Sequence, residues 1–216
     1  MLKLNSYSSK VLPLYSGLSF LLFIFSCSSP NQKQDGQSIA EKQDTFPVYG
    51  PAGHTVPGFH LTNQDSDTTM SKNYRGKILI ADFIFTRCAT MCPLMTQRMT
   101  HVQKEFSDNP QIQIASFTVD PEYDSPEELK KYARNFSADS ARWNFYTGSK
   151  PAIYELARKG FFLPVDQGDG GPEDFIHSSR FVLVDKQGRI RGYYDGMDSL
   201  AVDSLIRNVK RLLVIQ

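Results

Sequence analysis

Residues 78–99 read ILIADFIFTRCATMCPLMTQRM, and this stretch predicts a buried strand, a turn with two cysteines, and a helix. The first eight residues are almost all apolar, which is typical of a strand buried on both faces of a sheet. Pro93 is compatible with the first turn of a helix, and apolar residues follow it at helical spacing. Cys88 and Cys92 are therefore expected where the strand gives way to the helix.

The alternation of strands and helices continues to the end of the chain. Further strands are predicted at residues 59–61, 112–119 and 143–147 and, as a hairpin, at 180–185 and 189–194; helices are predicted at 126–136, 150–159 and 199–213. Such alternation implies parallel strands with right-handed crossovers, and the final hairpin makes the sheet mixed. We predict an α/β fold: a thioredoxin-like three-layer sandwich with a central mixed sheet flanked by helices and a C-terminal β-hairpin and helix.

The N-terminus has the layout of an export signal. Lys3 and Lys10 give a basic start, and the apolar run from Val11 to Phe25 follows. A membrane span needs about 20 apolar residues, so this run is short for a span and typical of a signal peptide. The run leads to Cys27 and resembles a bacterial lipobox, in which the new N-terminal cysteine carries lipid. The alternatives are an ordinary signal peptide, with Cys27 unmodified, and an uncleaved anchor.

Three segments follow from this layout. We expect a lipoprotein-type signal peptide at residues 1–26, a flexible tether rich in Ser, Gln, Asp and Lys at 27–44, and a thioredoxin-like domain at 45–216. The domain would then be extracytoplasmic, on the periplasmic side in a bacterium, and anchored to the membrane as a lipoprotein. A net charge of +1, without clusters of Lys and Arg among aromatic residues, argues against a nucleic-acid partner.

Cys88 and Cys92 are the two cysteines that remain after Cys27. A spacing of four places both sulfurs on one face if the residues share a helical turn, whereas a disulfide needs a tighter or looped arrangement. A helix N-terminus favours the thiolate, which both attacks disulfides and binds metal. The spacing therefore leaves open a redox-active dithiol, part of a metal site, and a structural disulfide.

Three motifs occur in a defined order: TRCATMCP at residues 86–93, VDPEYDSPE at 119–127, and HSS at 177–179 before the apolar run FVLVD. They resemble the signatures of the Sco copper proteins, also called SenC or PrrC, and the resemblance extends from Phe59 to the last helix. It implies a thioredoxin-like fold. One departure is Ala89, where members of the family often have proline.

The resemblance implies that Cys88, Cys92 and His177 bind copper, as Cu(I) or Cu(II). Thiolates favour Cu(I), imidazole suits copper in either state, and three ligands are one fewer than a structural zinc site has. We expect the loop before the hairpin to place His177 at the edge of the sheet where the thiols lie.

Acidic residues follow the strand at 112–119. Asp120 comes directly after the strand end, so we expect it beside the metal site. Glu122 and Asp124 are interpreted as turn residues that also complement the dipole of the next helix. Asp174 is a candidate to replace the acid that the family often has before the histidine, where this chain has Ile176.

Two classes of function fit these residues. The resemblance implies a protein that delivers copper to, or keeps reduced the thiols of, the dinuclear copper site of cytochrome c oxidase. Its partner would be the copper-bearing subunit of that oxidase or another copper protein. The alternative is a thiol:disulfide oxidoreductase that acts on exported proteins, with Cys88 and Cys92 as its catalytic redox pair; a peroxidase is a related third hypothesis. His177 distinguishes them, because a reductase needs no imidazole facing its thiols.

Overall fold

The structure is a computed structural model that describes residues 46–70, 74–163 and 178–215. In these residues the elements are β1 (His60–Asn63), β2 (Thr68–Met70), β3 (Ile78–Ile84), α1 (Met91–Glu105), β4 (Ile112–Thr118), α2 (Pro126–Asn135), β5 (Trp143–Thr147), α3 (Lys150–Glu155), β6 (Arg180–Val184), β7 (Ile190–Asp195) and α4 (Ser199–Ile215). All of them belong to one compact unit of the chain, which begins at Glu41. No helix in the described part is long and apolar enough to cross a membrane.

The described strands form one mixed sheet in the order β2-β1-β5-β4-β3-β6-β7. The three central strands β5, β4 and β3 are parallel, and the outer pairings are antiparallel. The predicted α/β thioredoxin-like fold, with its mixed sheet and C-terminal hairpin and helix, is confirmed. The sequence analysis missed β2, because a strand of three residues at a sheet edge is too short to show an alternating pattern.

Strand β3 lies in the centre of the sheet, with helices on both sides. Ile80 and Ile84 pack in the hydrophobic cluster that includes residues of α1, α2 and α4, whereas Leu79 and Phe83 pack in the cluster that includes Ile153 of α3. Every residue of β3 is buried. Burial on both faces explains why its sequence is a continuous apolar run.

The helix predicted at residues 150–159 changes its hydrogen bonding halfway. It is α-helical as α3 and continues as a π-helical turn, Leu156–Gly160. The backbone N–H of Phe161 donates to the carbonyl of Leu156, five residues back, at 2.9 Å. A Cβ atom on Gly160 would lie 3.0 Å from both Leu156 and Pro57, so glycine allows this turn to approach the segment before β1 closely.

Candidate metal and thiol site

The two cysteines lie just past the carboxyl end of β3, one before α1 and one inside it. Cys88 belongs to the turn that follows β3, and Cys92 is the second residue of α1. The two residues therefore do not share a helical turn, and the connection between them is looped. In this arrangement the backbone N–H of Cys92 donates to Cys88 Sγ at 3.4 Å.

Cys88 has the environment of a reactive thiol. Its partial burial acts to raise the pKa. The hydrogen bond from the N–H of Cys92, together with the nearby backbone N–H groups of Thr90 and Met91, outweighs this effect and lowers the pKa of Cys88 below its usual value. These groups are at the start of α1, where a helix offers unpaired N–H donors to an anion. Cys88 is half-buried, so the thiolate is also accessible from solvent.

Cys92 has the opposite environment. Only 5% of its surface is exposed, and burial raises the pKa of its thiol, with smaller contributions from the nearby Cys88 and Asp82. Both residues are free thiols. The pair thus combines an accessible thiol that ionises readily with a buried one that holds its proton.

Asp120 lies beside the residue that precedes Cys88. Its carboxylate is buried and accepts hydrogen bonds from Nε and Nη2 of Arg87, at 2.9 and 2.6 Å. The guanidinium also lies over the ring of Tyr123, 4.7 Å from its centroid. Asp120, which we expected beside the metal site, therefore holds Arg87 against the loop that follows β4.

Asp124 has a larger role than the turn function that we inferred from the sequence. It is fully buried, and it accepts hydrogen bonds from the backbone N–H of Thr86 at 3.1 Å, from the Thr86 hydroxyl, and from the Thr118 hydroxyl. Desolvation raises the pKa of this carboxyl, and the three hydrogen bonds oppose that rise. Asp124 does lie in the turn after β4, where its backbone N–H donates to the carbonyl of Asp120 at 2.9 Å, and its side chain also joins this loop to the turn that carries Cys88. Glu122, by contrast, is exposed.

Asp82, which lies within the apolar run of β3, was not predicted as a site residue from the sequence. Its Oδ1 accepts from the Ser116 hydroxyl at 2.5 Å, and Ser116 in turn accepts from the indole N–H of Trp143 at 2.9 Å. Oδ2 is buried and has no hydrogen-bond partner among the residues that the structure describes. Desolvation raises the pKa of Asp82 to about 7. A single charged residue in an otherwise apolar strand was the signal that could have identified it.

The remaining candidate residues lie outside the described part of the chain. These are His177, Asp174 and the lipidation candidate Cys27. Across residues 46–70, 74–163 and 178–215, no group of three or more His, Cys, Asp or Glu side chains could hold a metal ion. The described structure therefore brings together Cys88, Cys92 and the acidic motif at residues 119–127. The approach of His177 to the thiols stays a prediction.

The SCO1/SenC family model matches residues 49–214, which include the thiol turn, the acidic loop and β6. The chain belongs to the SCO1/SenC family.

Solved structures of SCO1/SenC family members are similar to this chain over most of its length. A SCO1/SenC family lipoprotein from Bacillus anthracis is 35% identical, with a TM-score of 0.67, and the match covers 77% of this chain and 99% of that protein. BsSco, described as a Sco-family cytochrome c oxidase assembly protein with a disulfide switch, is 37% identical, with a TM-score of 0.66 and coverage of 78% and 99%. Yeast Sco1 with copper bound is 26% identical, with a TM-score of 0.57 and coverage of 73% and 89%.

Proposed function

We propose that this protein is a membrane-tethered, copper-binding SCO1/SenC protein. It delivers copper to the dinuclear copper site of cytochrome c oxidase or keeps the thiols of that site reduced. The observation that carries the proposal is the thiol pair at the start of α1, where Cys88 Sγ lies at 3.4 Å from the backbone nitrogen of Cys92. Its partner is the copper-bearing subunit of the oxidase or another copper protein.

The donor set fits copper. Two thiol sulfurs are soft ligands that select Cu(I), and an imidazole from His177 would suit copper in either oxidation state. The position of β6 supports this assignment, because β6 runs antiparallel to β3 and Arg180, its first residue, is therefore at the end of the sheet where β3 ends. His177 precedes Arg180 by three residues in the sequence. Bound copper would supply a soft cation for transfer. The chain would supply two thiols, which must lose their protons and become thiolates to bind it.

The proposed anchor is lipid on Cys27. A signal peptide at residues 1–26 and a tether at 27–44 would leave the domain at 45–216 free to reach a partner near the membrane surface. The apolar run that ends before Cys27 and the lipoprotein description of the Bacillus anthracis relative support this organisation. Treatment with globomycin tests this anchor, and we expect it to block processing of the precursor. Normal processing of a Cys27→Ala precursor would exclude the lipid.

Thiol:disulfide exchange with exported proteins is the second candidate function. The asymmetry of the pair favours it, because an accessible Cys88 with a lowered pKa suits the attacking thiol and the buried Cys92 suits the resolving one. The two functions are compatible, since copper binding requires the reduced dithiol.

Anaerobic copper titration of the reduced domain, expressed from Glu41, tests the first function. We expect one copper ion per chain, no stoichiometric binding in Cys88→Ser or Cys92→Ser, and weaker binding in His177→Ala. The exposed His101 on α1 offers a matched control, so His101→Ala should bind copper as the unmodified domain does. Full copper affinity in His177→Ala would count against the copper site and leave the oxidoreductase as the better account.

A further inference from the structure

A second concave site lies at the end of β3 that is remote from the thiols. Leu79, near the start of β3, lines this cavity, whereas the thiol turn follows Ile84 at the other end of the strand. At about 3.3 Å per residue, the five steps from Leu79 to Ile84 span roughly 17 Å. The cavity is therefore separate from the proposed copper site and does not depend on it.

Three chain segments form the walls of the cavity and are hydrogen-bonded to one another. They are the segment before β1, the approach to β3, and the β6–β7 turn. The backbone N–H of Val56 donates to the carbonyl of Gly188 at 2.8 Å, and that of Gly76 donates to the carbonyl of Lys186 at 3.1 Å. The enclosed volume is about 420 Å³, within the range of about 300–1,000 Å³ that small-molecule sites occupy.

The floor of the cavity is apolar. Leu79, Val184 and Tyr74 are buried in the hydrophobic cluster on the α3 side of the sheet, and Phe59 packs against the same cluster. An apolar ligand on this floor would gain stability by removing its own surface, and the exposed part of Phe59, from water.

The rim of the cavity is cationic. Arg75, Lys77 and Lys186 line it, and within the described residues neither Arg75 nor Lys77 forms an ion pair. The carboxylate among the lining residues belongs to Asp185, which is already bonded to Arg189 and Arg191 at 2.8 Å each. The cavity therefore presents positive charge above an apolar surface.

We propose that this cavity binds an amphiphilic anion, whose apolar body packs on Leu79, Val184 and Tyr74 and whose carboxylate or phosphate group is held by Arg75 and Lys77. A guanidinium can bind either group through two parallel hydrogen bonds, and a lysine adds a point charge. An anionic lipid headgroup and a free small anion share this chemistry.

Octanoate is a suitable probe, titrated into the ¹⁵N-labelled, reduced domain from Glu41 and followed by amide chemical shifts. We expect saturable shifts of the amides of Val56, Lys77 and Gly188. The double substitution Arg75→Gln with Lys77→Gln should weaken binding by at least about tenfold, because charge-assisted hydrogen bonds are lost. Thr55→Trp, at an exposed position of the rim, should block the cavity without altering the core.

Lys104→Gln is the matched control, since it removes one positive charge from an exposed site on α1. Octanol or octylamine should shift the same amides much less than octanoate does. Three results would overturn the proposal. They are shifts with octanol or octylamine as large as those with octanoate, no saturable shifts with octanoate, and an octanoate affinity that is unchanged in the double variant.

Sedimentation with vesicles distinguishes the two sources of the anion. Binding to phosphatidylglycerol vesicles but not to phosphatidylcholine vesicles, lost in the double variant, would identify a lipid headgroup. Octanoate binding without vesicle binding would identify a free small anion. Failure of the copper titration would leave these results unaffected, because the copper ligands lie at the other end of β3.

Discussion

The backbone N–H of Thr86 donates a hydrogen bond to the carboxylate of Asp124 at 3.1 Å, and the hydroxyl of Thr86 donates to the same carboxylate. Thr86 lies two residues before Cys88, and Asp124 lies in the loop after the neighbouring strand β4. This buried carboxylate therefore fixes the turn that presents the first thiol to the sheet edge.

Replacement of Asp124 should destabilise the domain. Asp124→Ala leaves the half-buried Thr86 and the fully buried hydroxyl of Thr118 without their acceptor, which should lower the free energy of unfolding by about 1–3 kcal/mol. Urea denaturation of the reduced domain measures this loss. Glu122→Ala removes an exposed carboxylate from the same loop and should change stability by less than about 0.5 kcal/mol. Equal effects of the two substitutions would show that Asp124 is only a turn residue.

The buried carboxyl of Asp82 should make stability depend on pH. Its pKa in the folded protein is about 7, compared with 3.8 for an ordinary aspartate. From about pH 4 to pH 7 the unfolded chain releases this proton while the folded protein retains it, so stability falls as the pH rises. The loss approaches about 4 kcal/mol and ends above the folded pKa.

Asp82→Asn removes this titration, so its stability should be flatter between pH 4 and pH 8 in urea denaturation. Asp108→Asn, at an exposed site, is the matched control. Its stability should depend on pH as that of the unmodified domain does. If the stability of Asp82→Asn depended on pH just as that of the unmodified domain does, the raised pKa of Asp82 would be contradicted.

The two thiols should react at different rates with iodoacetamide in the metal-free, reduced domain. Cys88 has a lowered pKa and is half-buried, whereas Cys92 is buried with a raised pKa. Because one pKa unit changes the thiolate fraction about tenfold, Cys88 should be alkylated at least about tenfold faster near neutral pH. Peptide mapping by mass spectrometry at short reaction times reads out both sites, and preferential labelling of Cys92 would refute the described asymmetry.

Much of the fold could be predicted because residues 78–99 already contain its decisive unit. A continuous apolar run, two cysteines and a helix with apolar spacing predict a central strand, a functional turn and a packed helix. β3 and α1 confirm the strand and the helix, and the function of the turn stays a prediction. The hairpin of β6 and β7 was also predicted to within one residue at each boundary. Local patterns suffice for such elements, because each is determined by residues close in sequence.

The residues that support the site could not be predicted in the same way. Asp124 contacts Thr86 across 38 positions of sequence, and this contact exists only because the loops after β3 and β4 adjoin at one sheet edge. The buried carboxyl of Asp82 likewise depends on its pairing with Ser116 in β4. The π-helical turn after α3 approaches Pro57, which is about 100 positions earlier in the sequence, and helical periodicity does not reveal such a contact.

X-ray absorption at the copper edge of the loaded, reduced domain tests the central claim most directly. The account predicts two sulfur scatterers and one imidazole nitrogen, with the imidazole signal lost in His177→Ala and a sulfur lost in Cys88→Ser or Cys92→Ser. A spectrum without sulfur scatterers, or an imidazole signal that persists in His177→Ala, would contradict it.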